Sequence, residues 1–165
     1  MNAVRRHWSV IAGALLLLAA LAPMKLISNV WRVWEDWGVA DWAWAINLVN
    51  LLLIVTALLC LFAAALAFGR NREPALRVAL WAVVAAVLYI VGYVVLTQLL
   101  LQNSWFDAVK VSVRYWFIGE GYDSSGHSTV YVSSIIGGPV AWLSLGLAIW
   151  VLSTARHASE RKHSV

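Results

Sequence analysis

The feature that most constrains the fold is the run from Ala43 to Phe68, which contains no charged side chain. As an α-helix this run would be about 39 Å long, which exceeds the ~30 Å hydrocarbon layer of a bilayer. Only 12% of the 165 residues are charged, against about 25% in soluble domains. The sequence therefore predicts an integral membrane protein.

Three further apolar runs accompany this one, and together they predict an all-α membrane protein, a four-transmembrane-helix bundle in one domain covering 1–165. The first run begins like a secretory signal peptide, with a small-x-small pattern at 20–22. Its apolar character continues past Pro23, so we expect an uncleaved helix rather than a cleaved leader. The predicted spans are 8–30, 43–68, 78–101 and 130–154.

The link between the second and third spans is short and basic. Gly69 is placed to end the second helix as a C-cap, and Pro74 suits the first turn of the third. We therefore expect these two helices to be antiparallel neighbours.

Charge distribution predicts the orientation. With both termini in the cytoplasm, eight of the 12 basic residues lie inside, in agreement with the positive-inside rule. Short connections and the lack of a targeting signal favour a bacterial inner (plasma) membrane. The inner set is Arg5, Arg6, Arg70, Arg72, Arg77, Arg156, Arg161 and Lys162, and the outer set is Lys25, Arg32, Lys110 and Arg114.

The outer connections, 31–42 and 102–129, are rich in tryptophan, which prefers the boundary between membrane and water. On a helical wheel the first connection is amphipathic, so we expect it to lie on the outer surface. This aromatic surface is predicted to contact a partner or lipid. Its candidate residues are Trp31, Trp34, Trp37, Trp105 and Trp116.

The connection from Asn103 to Ser128 permits two interpretations. Between Val109 and Phe117, apolar and polar residues alternate as in a strand. The same stretch also forms an amphipathic helix with a capping pattern at Ser104 and a stop at Gly119. We favour a surface-lying helix over a hairpin, followed by a polar loop over 119–128.

A set of polar side chains falls in the outer third of the predicted spans. Such groups are costly in hydrocarbon unless they meet one another, water or a ligand. They should therefore face the bundle interior, where they indicate either interhelical hydrogen bonds or an outward-open binding cavity. The candidate ligand-binding residues are Lys25, Asn47, Asn50, Gln98 and Gln102, and Asn29, Ser133 and Ser134 lie at similar depth.

Small residues on the fourth span share one helical face, which permits close approach of another helix. The alternatives are packing within the chain and docking onto a partner subunit. One turn above, Pro139 should bend or loosen the helix. The candidate stripe is Gly137, Ala141, Ser144 and Ala148.

Catalytic and metal-binding patterns are weak in this sequence. No histidine or acidic residue falls inside a predicted span, which argues against haem, buried proton relays and catalysis at depth. Glu120, Asp123 and His127 lack a recognised ligand spacing, so a solvated loop is favoured over a metal site. Cys60 is the only cysteine and excludes an internal disulfide. We expect no cofactor.

The expected function is a non-catalytic small membrane subunit or interaction protein. Its expected partners are membrane lipids and either another membrane protein or a second copy of the chain. The net charge of +4 sits in clusters at the ends of apolar runs, so nucleic-acid binding is not expected. The alternative is a small transporter, channel or lipid-binding protein. An enzyme acting at the outer surface would need Asp107, Glu120, Asp123 or His127 as acid-base groups.

Overall fold

The computed structural model describes residues 2–24, 43–101, 109–110, 120–122, 128–130 and 132–160. Within these ranges the chain is helical except for the turns at 20–23 and 69–71 and one short pair of strands. The elements are α1 (Asn2–Ala19), α2 (Ala43–Phe68), α3 (Arg72–Leu101), β1 (Glu120–Tyr122), β2 (Ser128–Val130), α4 (Val132–Ile135), a π-helical turn (Ile136–Val140) and α5 (Ala141–Glu160).

The first helix ends earlier than predicted. α1 stops at Ala19, and the chain then makes tighter bonds, with the Ala22 N–H donating to the Ala19 carbonyl at 3.1 Å and Met24 donating to Leu21 at 2.9 Å. Pro23 explains the change, because it has no N–H to donate to Ala19 and restricts the residue before it. The predicted span of 8–30 is therefore wrong as a continuous helix, and 25–30 lie outside the described residues.

The turn between α2 and α3 has Schellman geometry. The Asn71 N–H donates to the Leu66 carbonyl at 2.9 Å and the Arg70 N–H to Ala67 at 3.0 Å. Gly69 follows the last helical residue, Phe68, as predicted for a C-cap, and the left-handed residue is the next one, Arg70, with φ of 64°. For a non-glycine residue this conformation costs roughly 1–2 kcal/mol.

α3 and α5 extend beyond the apolar runs that predicted them. α3 begins at Arg72 rather than 78, and its first turns carry an exposed ion pair between Glu73 and Arg77 at 2.6 Å. Glu73 also suits the positive dipole of the helix N-terminus. At the other end of the chain, α5 continues to Glu160 rather than stopping near 154. Charged residues lengthen these helices because only the middle of each one needs to be apolar.

A short hairpin replaces part of the predicted polar loop at 119–128. β1 and β2 pair antiparallel, with Glu120 opposite Val130 and Tyr122 opposite Ser128. Tyr, Thr and Val favour strands, but three residues are too few to give a periodic signal. Of the predicted surface helix, only Val109 and Lys110 are described, and both are helical.

The fourth apolar run forms a helix with a widened turn. The Ala141 N–H donates to the Ile136 carbonyl, which is an i→i−5 bond, and also to Gly138. Pro139 lies inside this turn and cannot donate a bond of its own. The predicted loosening at Gly137-Gly138-Pro139 thus takes the form of a π turn, and α4 starts at Val132 because β2 uses the residues up to Val130.

The helices pack through small residues. In the larger buried cluster, which joins α1, α2, α3 and α5, nine of the 14 described buried residues are alanines. α2 lies mainly against α3, and α1 lies mainly against α5 and α2. Alanine allows close approach of helix backbones, which is the usual way that helices associate in membranes.

Large apolar side chains point outward instead. Leu58 is 59% exposed, Trp81 65% and Leu143 67%. In a protein surrounded by water, contiguous apolar surface of this kind is rare. Three helical stretches are long and apolar enough to cross a membrane, Asn47–Phe68, Arg72–Leu96 and Ile136–Thr154, while the apolar part of α1, His7–Ala19, is shorter.

Candidate functional site

The close contact between α2 and α3 fixes their relative register. A Cβ built on Gly92 would lie 3.0 Å from a Cγ of Val49, so these two residues are at the same level. The helices are joined by a tight turn and run antiparallel. Below, "turn end" means the end of the bundle that carries the Gly69–Asn71 turn, and "far end" means the opposite end, where α2 begins.

The polar residues of α2 and α3 lie toward the far end but not at one level. Asn50 and Gln98 are half-buried, whereas Asn47 is exposed, so the expectation that the polar set faces the interior is wrong for Asn47. Asn50 lies one residue from Val49 toward the turn end, whereas Gln98 lies six residues from Gly92 toward the far end. Their levels therefore differ by seven residues, which is about 10 Å along the axis. Asn47 is closer to the level of Gln98, at about 6 Å. These side chains are therefore distributed along the α2–α3 pair.

Other members of the predicted polar set are only partly covered by the structure. Lys25, Gln102 and Asn29 lie outside the described residues. Ser133 and Ser134 lie on α4, seven or eight residues before Ala141. Because Ala141 packs with Leu53 of α2, the two serines are about 10 Å nearer the far end, close to the level of Asn47.

Two irregular backbone segments meet near the middle of the bundle. Ala22, in the turn after α1, is fully buried with Leu53, Tyr89 and Ala141 in a second core cluster. α1 also contacts the π turn. Irregular backbone at such depth is tolerated when it is buried in protein or lines a cavity. Here the broken end of α1 is buried by α2, α3 and α5.

An aromatic pair on α3 adjoins this junction. The rings of Tyr89 and Tyr93 are 6.3 Å apart and nearly parallel, with an interplanar angle of 24°. Tyr89 is one of the largest fully buried side chains, and Tyr93 packs against the same cluster. The pair therefore has a packing role at the junction, in agreement with the face that Tyr89 and Tyr93 share at i, i+4.

The predicted small-residue stripe is buried within the chain. Ala141 and Ala148 have no exposed surface, Ser144 is 6% exposed, and Gly137 is buried in the π turn. α5 presents Leu145, Ala148 and Leu152 to the larger core cluster. This arrangement corresponds to the intrachain alternative, so the stripe is not on the outer surface of the described bundle.

The remaining predicted sites fall mostly outside the described residues. This applies to all five candidate tryptophans, Trp31, Trp34, Trp37, Trp105 and Trp116, and to Asp123 and His127. Glu120 is in β1, where its backbone pairs with Val130. Among the described residues, no group of three or more His, Cys, Asp or Glu side chains is placed to hold a metal ion.

The turn end holds polar contacts that the sequence analysis did not identify. The Arg72 Nε donates a hydrogen bond to the Ser9 hydroxyl at 3.1 Å, which joins α3 to α1. Ser9 is almost fully buried, and nearby the Phe68 ring lies against Gly13. The only sequence signal was a serine within the first apolar run. Its partner depends on the register of α1 against the α2–α3 turn, which is a tertiary property.

Buried hydroxyl groups elsewhere bond within their own helix. Thr56 is 1% exposed, and its hydroxyl donates to the Leu52 carbonyl at 2.8 Å. Ser153 donates in the same way to Ile149 at 2.7 Å. These bonds satisfy the hydroxyls without a ligand, so neither residue marks a binding site.

Comparisons with known proteins do not assign a family or a function to this arrangement. No protein-family model, no curated protein and no solved structure matches the chain.

Proposed function

We propose that the chain is an integral membrane protein that crosses the bilayer four times, with its turn end in the cytoplasm. The outward-facing leucine, phenylalanine and tryptophan side chains of α2, α3 and α5 support this placement, because lipid is the solvent that suits them. The Ser9–Arg72 bond brings the start of α1 to the same end as Arg70 and Arg77. That grouping of arginines agrees with a cytoplasmic turn end.

The position of Ala22 supports a fourth crossing. Ala22 packs at the level of Leu53, whereas α2 begins at Ala43, about 15 Å nearer the far end. The chain between Ala22 and Ala43 must cover this distance, which supports a complete crossing by the first apolar run even though α1 ends at Ala19. The break then lies inside the bilayer, covered by neighbouring helices.

Within the membrane, the chain is proposed to act as a non-catalytic small subunit that docks onto another membrane protein. The observation that carries this proposal is a notch on the outer face of α5. Gly146 is exposed, with nothing within 4 Å of a Cβ built on it, and the large side chains of Leu143, Leu147 and Trp150 surround it on the same face. Because glycine has no side chain, a row of side chains from a second transmembrane helix can pack closely between the large residues.

The docking proposal is tested by gentle detergent extraction and mass spectrometry of co-purifying proteins. We expect Gly146→Leu to remove the partner while leaving the chain folded, because the notch is filled. Ala65→Leu adds a leucine side chain to the exposed face of α2 and should keep the partner. A wild-type chain that is always alone and monomeric would contradict the proposal.

A second candidate function is a ligand-binding protein with a polar cavity open to the outside. Two observations favour it: α1 is helical only to Ala19, and Asn50 and Gln98 are half-buried near the far end. The cavity would lie between α2, α3 and α4 and would receive a polar or amphipathic solute. Unwound segments in the middle of transmembrane helices commonly border such sites.

We expect this candidate to be sensitive to Asn50→Leu and Gln98→Leu. Each change replaces a half-buried amide by an apolar side chain of similar size. The affinity for the solute should therefore fall about tenfold for each amide that is removed. Uptake or binding by purified protein in liposomes provides the measurement, with Asn47→Leu as the exposed control. If both half-buried variants bind solute like the wild type, the cavity hypothesis fails.

A further inference from the structure

The turn end presents a basic surface beside exposed apolar side chains. Arg70 and Arg77 are exposed and Arg72 is half-buried, and Arg5 and Arg6 belong to the first two turns of α1 at the same end. Only Glu73, paired with Arg77, offsets this charge among the described residues of the turn and the first two turns of α3. Phe68 and Leu80 lie close by in sequence and are nearly half exposed. Along the chain, exposed basic and exposed apolar residues therefore alternate at this end of the bundle.

Arg72 is held in place across two helices. Its Nε donates to the Ser9 hydroxyl at 3.1 Å, and Ser9 is almost fully buried in α1. A side chain that is already positioned loses less freedom when it binds a ligand, and the planar guanidinium suits the oxygens of a phosphate group.

Arg70 occupies a backbone position that favours glycine. Its φ of 64° is left-handed, whereas the neighbouring Gly69 does not adopt a left-handed conformation. Exchanging the two residue types would relieve the strain. Backbone strain at an exposed charged residue is the observation that motivates assigning a role to this charge.

We propose that the turn end binds the phosphate headgroup of an anionic phospholipid from the cytoplasmic leaflet. The headgroup lies against Arg70 and Arg72, and the acyl chains run along Leu80 and the exposed part of the Phe68 ring. Basic surfaces immediately beside transmembrane helices attract anionic lipids in this way. The adjoining apolar surface favours a lipid over free phosphate. The inference rests on the proposed membrane placement.

The test uses the full-length protein in nanodiscs that contain phosphatidylglycerol and phosphatidylcholine, with the lipids retained after gentle release counted by native mass spectrometry. We expect Arg70→Gly to lower phosphatidylglycerol retention about fivefold, the effect of one interfacial charge. Arg70→Lys should retain most of the binding. Lys110→Gln makes the same change in net charge in the connection that is predicted to lie on the outer side, and it should leave retention unchanged.

Stability measurements separate loss of charge from loss of fold. Arg70→Gly suits the left-handed position, so its melting temperature in neutral lipid should rise while its phosphatidylglycerol retention falls. Equal losses in Arg70→Gly and Lys110→Gln would overturn the proposal, as would displacement of the lipid by millimolar inorganic phosphate, which would identify phosphate alone as the ligand. Failure of the wild type to enter nanodiscs would instead refute the membrane placement.

Discussion

Ala64→Leu is expected to be among the most damaging single substitutions in this chain. Ala64 is 1% exposed and lies in the alanine-rich cluster where α1, α2, α3 and α5 meet. Three added carbons have no space there without moving a helix, and overpacking of this kind costs about 1–3 kcal/mol or more. We expect a clear fall in melting temperature in mild detergent and a loss of monodisperse protein.

The adjacent residue provides the control. Ala65 is exposed on the outward face of the same helix turn, so Ala65→Leu adds the same volume where lipid or detergent can adapt. Its free energy of unfolding should stay within about 0.5 kcal/mol of the wild type, as for surface substitutions in general. Equal damage from both changes would mean that the interior of the bundle has been assigned to the wrong face.

Gly92→Leu is expected to separate α2 from α3. The Cβ of any larger residue would lie 3.0 Å from the Cγ2 of Val49, and Val49 is a β-branched side chain with few alternative rotamers. The helices must move apart or shift in register, at a cost of about 1–3 kcal/mol. Thermal unfolding followed by circular dichroism measures this loss.

Two comparisons make the Gly92 prediction specific. Gly146→Leu introduces the same residue in a helix where nothing lies within 4 Å of the new Cβ, and it should not destabilise the isolated chain. Val49→Ala combined with Gly92→Leu should recover part of the lost stability, because it makes room at the contact. Additive losses in the double variant would argue against direct contact between these two positions.

The helices with the strongest apolar runs were the most predictable part of the fold. α2 covers Ala43–Phe68, the same residues as the predicted span, because the run has a clear start and ends at a capping sequence. The antiparallel α2–α3 pair also agrees with the prediction from the short link between them. Local composition was enough to define these features.

For α2 and α3, only the polar residues were expected to mark the inner face, and Asn47 is exposed instead. α2 and α3 are apolar on all sides, so hydrophobic periodicity cannot distinguish the inner face from the outer one. Side-chain size does distinguish them: Ala63 and Ala67 are buried, while Leu61 and Phe62 are exposed. The small-residue rule, which the sequence analysis applied only to the fourth span, would have identified this face of α2 as well.

The details of the irregular backbone segments were not predicted, because they depend on single residues or on tertiary contacts. The end of α1 follows from Pro23, whose influence was underestimated because apolar residues continue beyond it. The left-handed conformation of Arg70 was not predicted, because it follows from the Schellman bonds to Leu66 and Ala67 rather than from the residue type. The Asn47, Asn50 and Gln98 amides were correctly expected near one end, but their axial spacing required the Val49–Gly92 register.

Membrane placement is tested most directly by single-cysteine labelling in intact bacterial cells that express the chain. In a Cys60→Ala background, Asn71→Cys reports on the turn end, Lys110→Cys on the opposite side and Val84→Cys on the outward apolar surface; all three positions are exposed. A membrane-impermeant maleimide should label Lys110→Cys in intact cells, Asn71→Cys only after lysis, and Val84→Cys only after denaturation. Labelling of Asn71→Cys in intact cells would invert the topology, and labelling of Val84→Cys in intact membranes would contradict the placement in lipid.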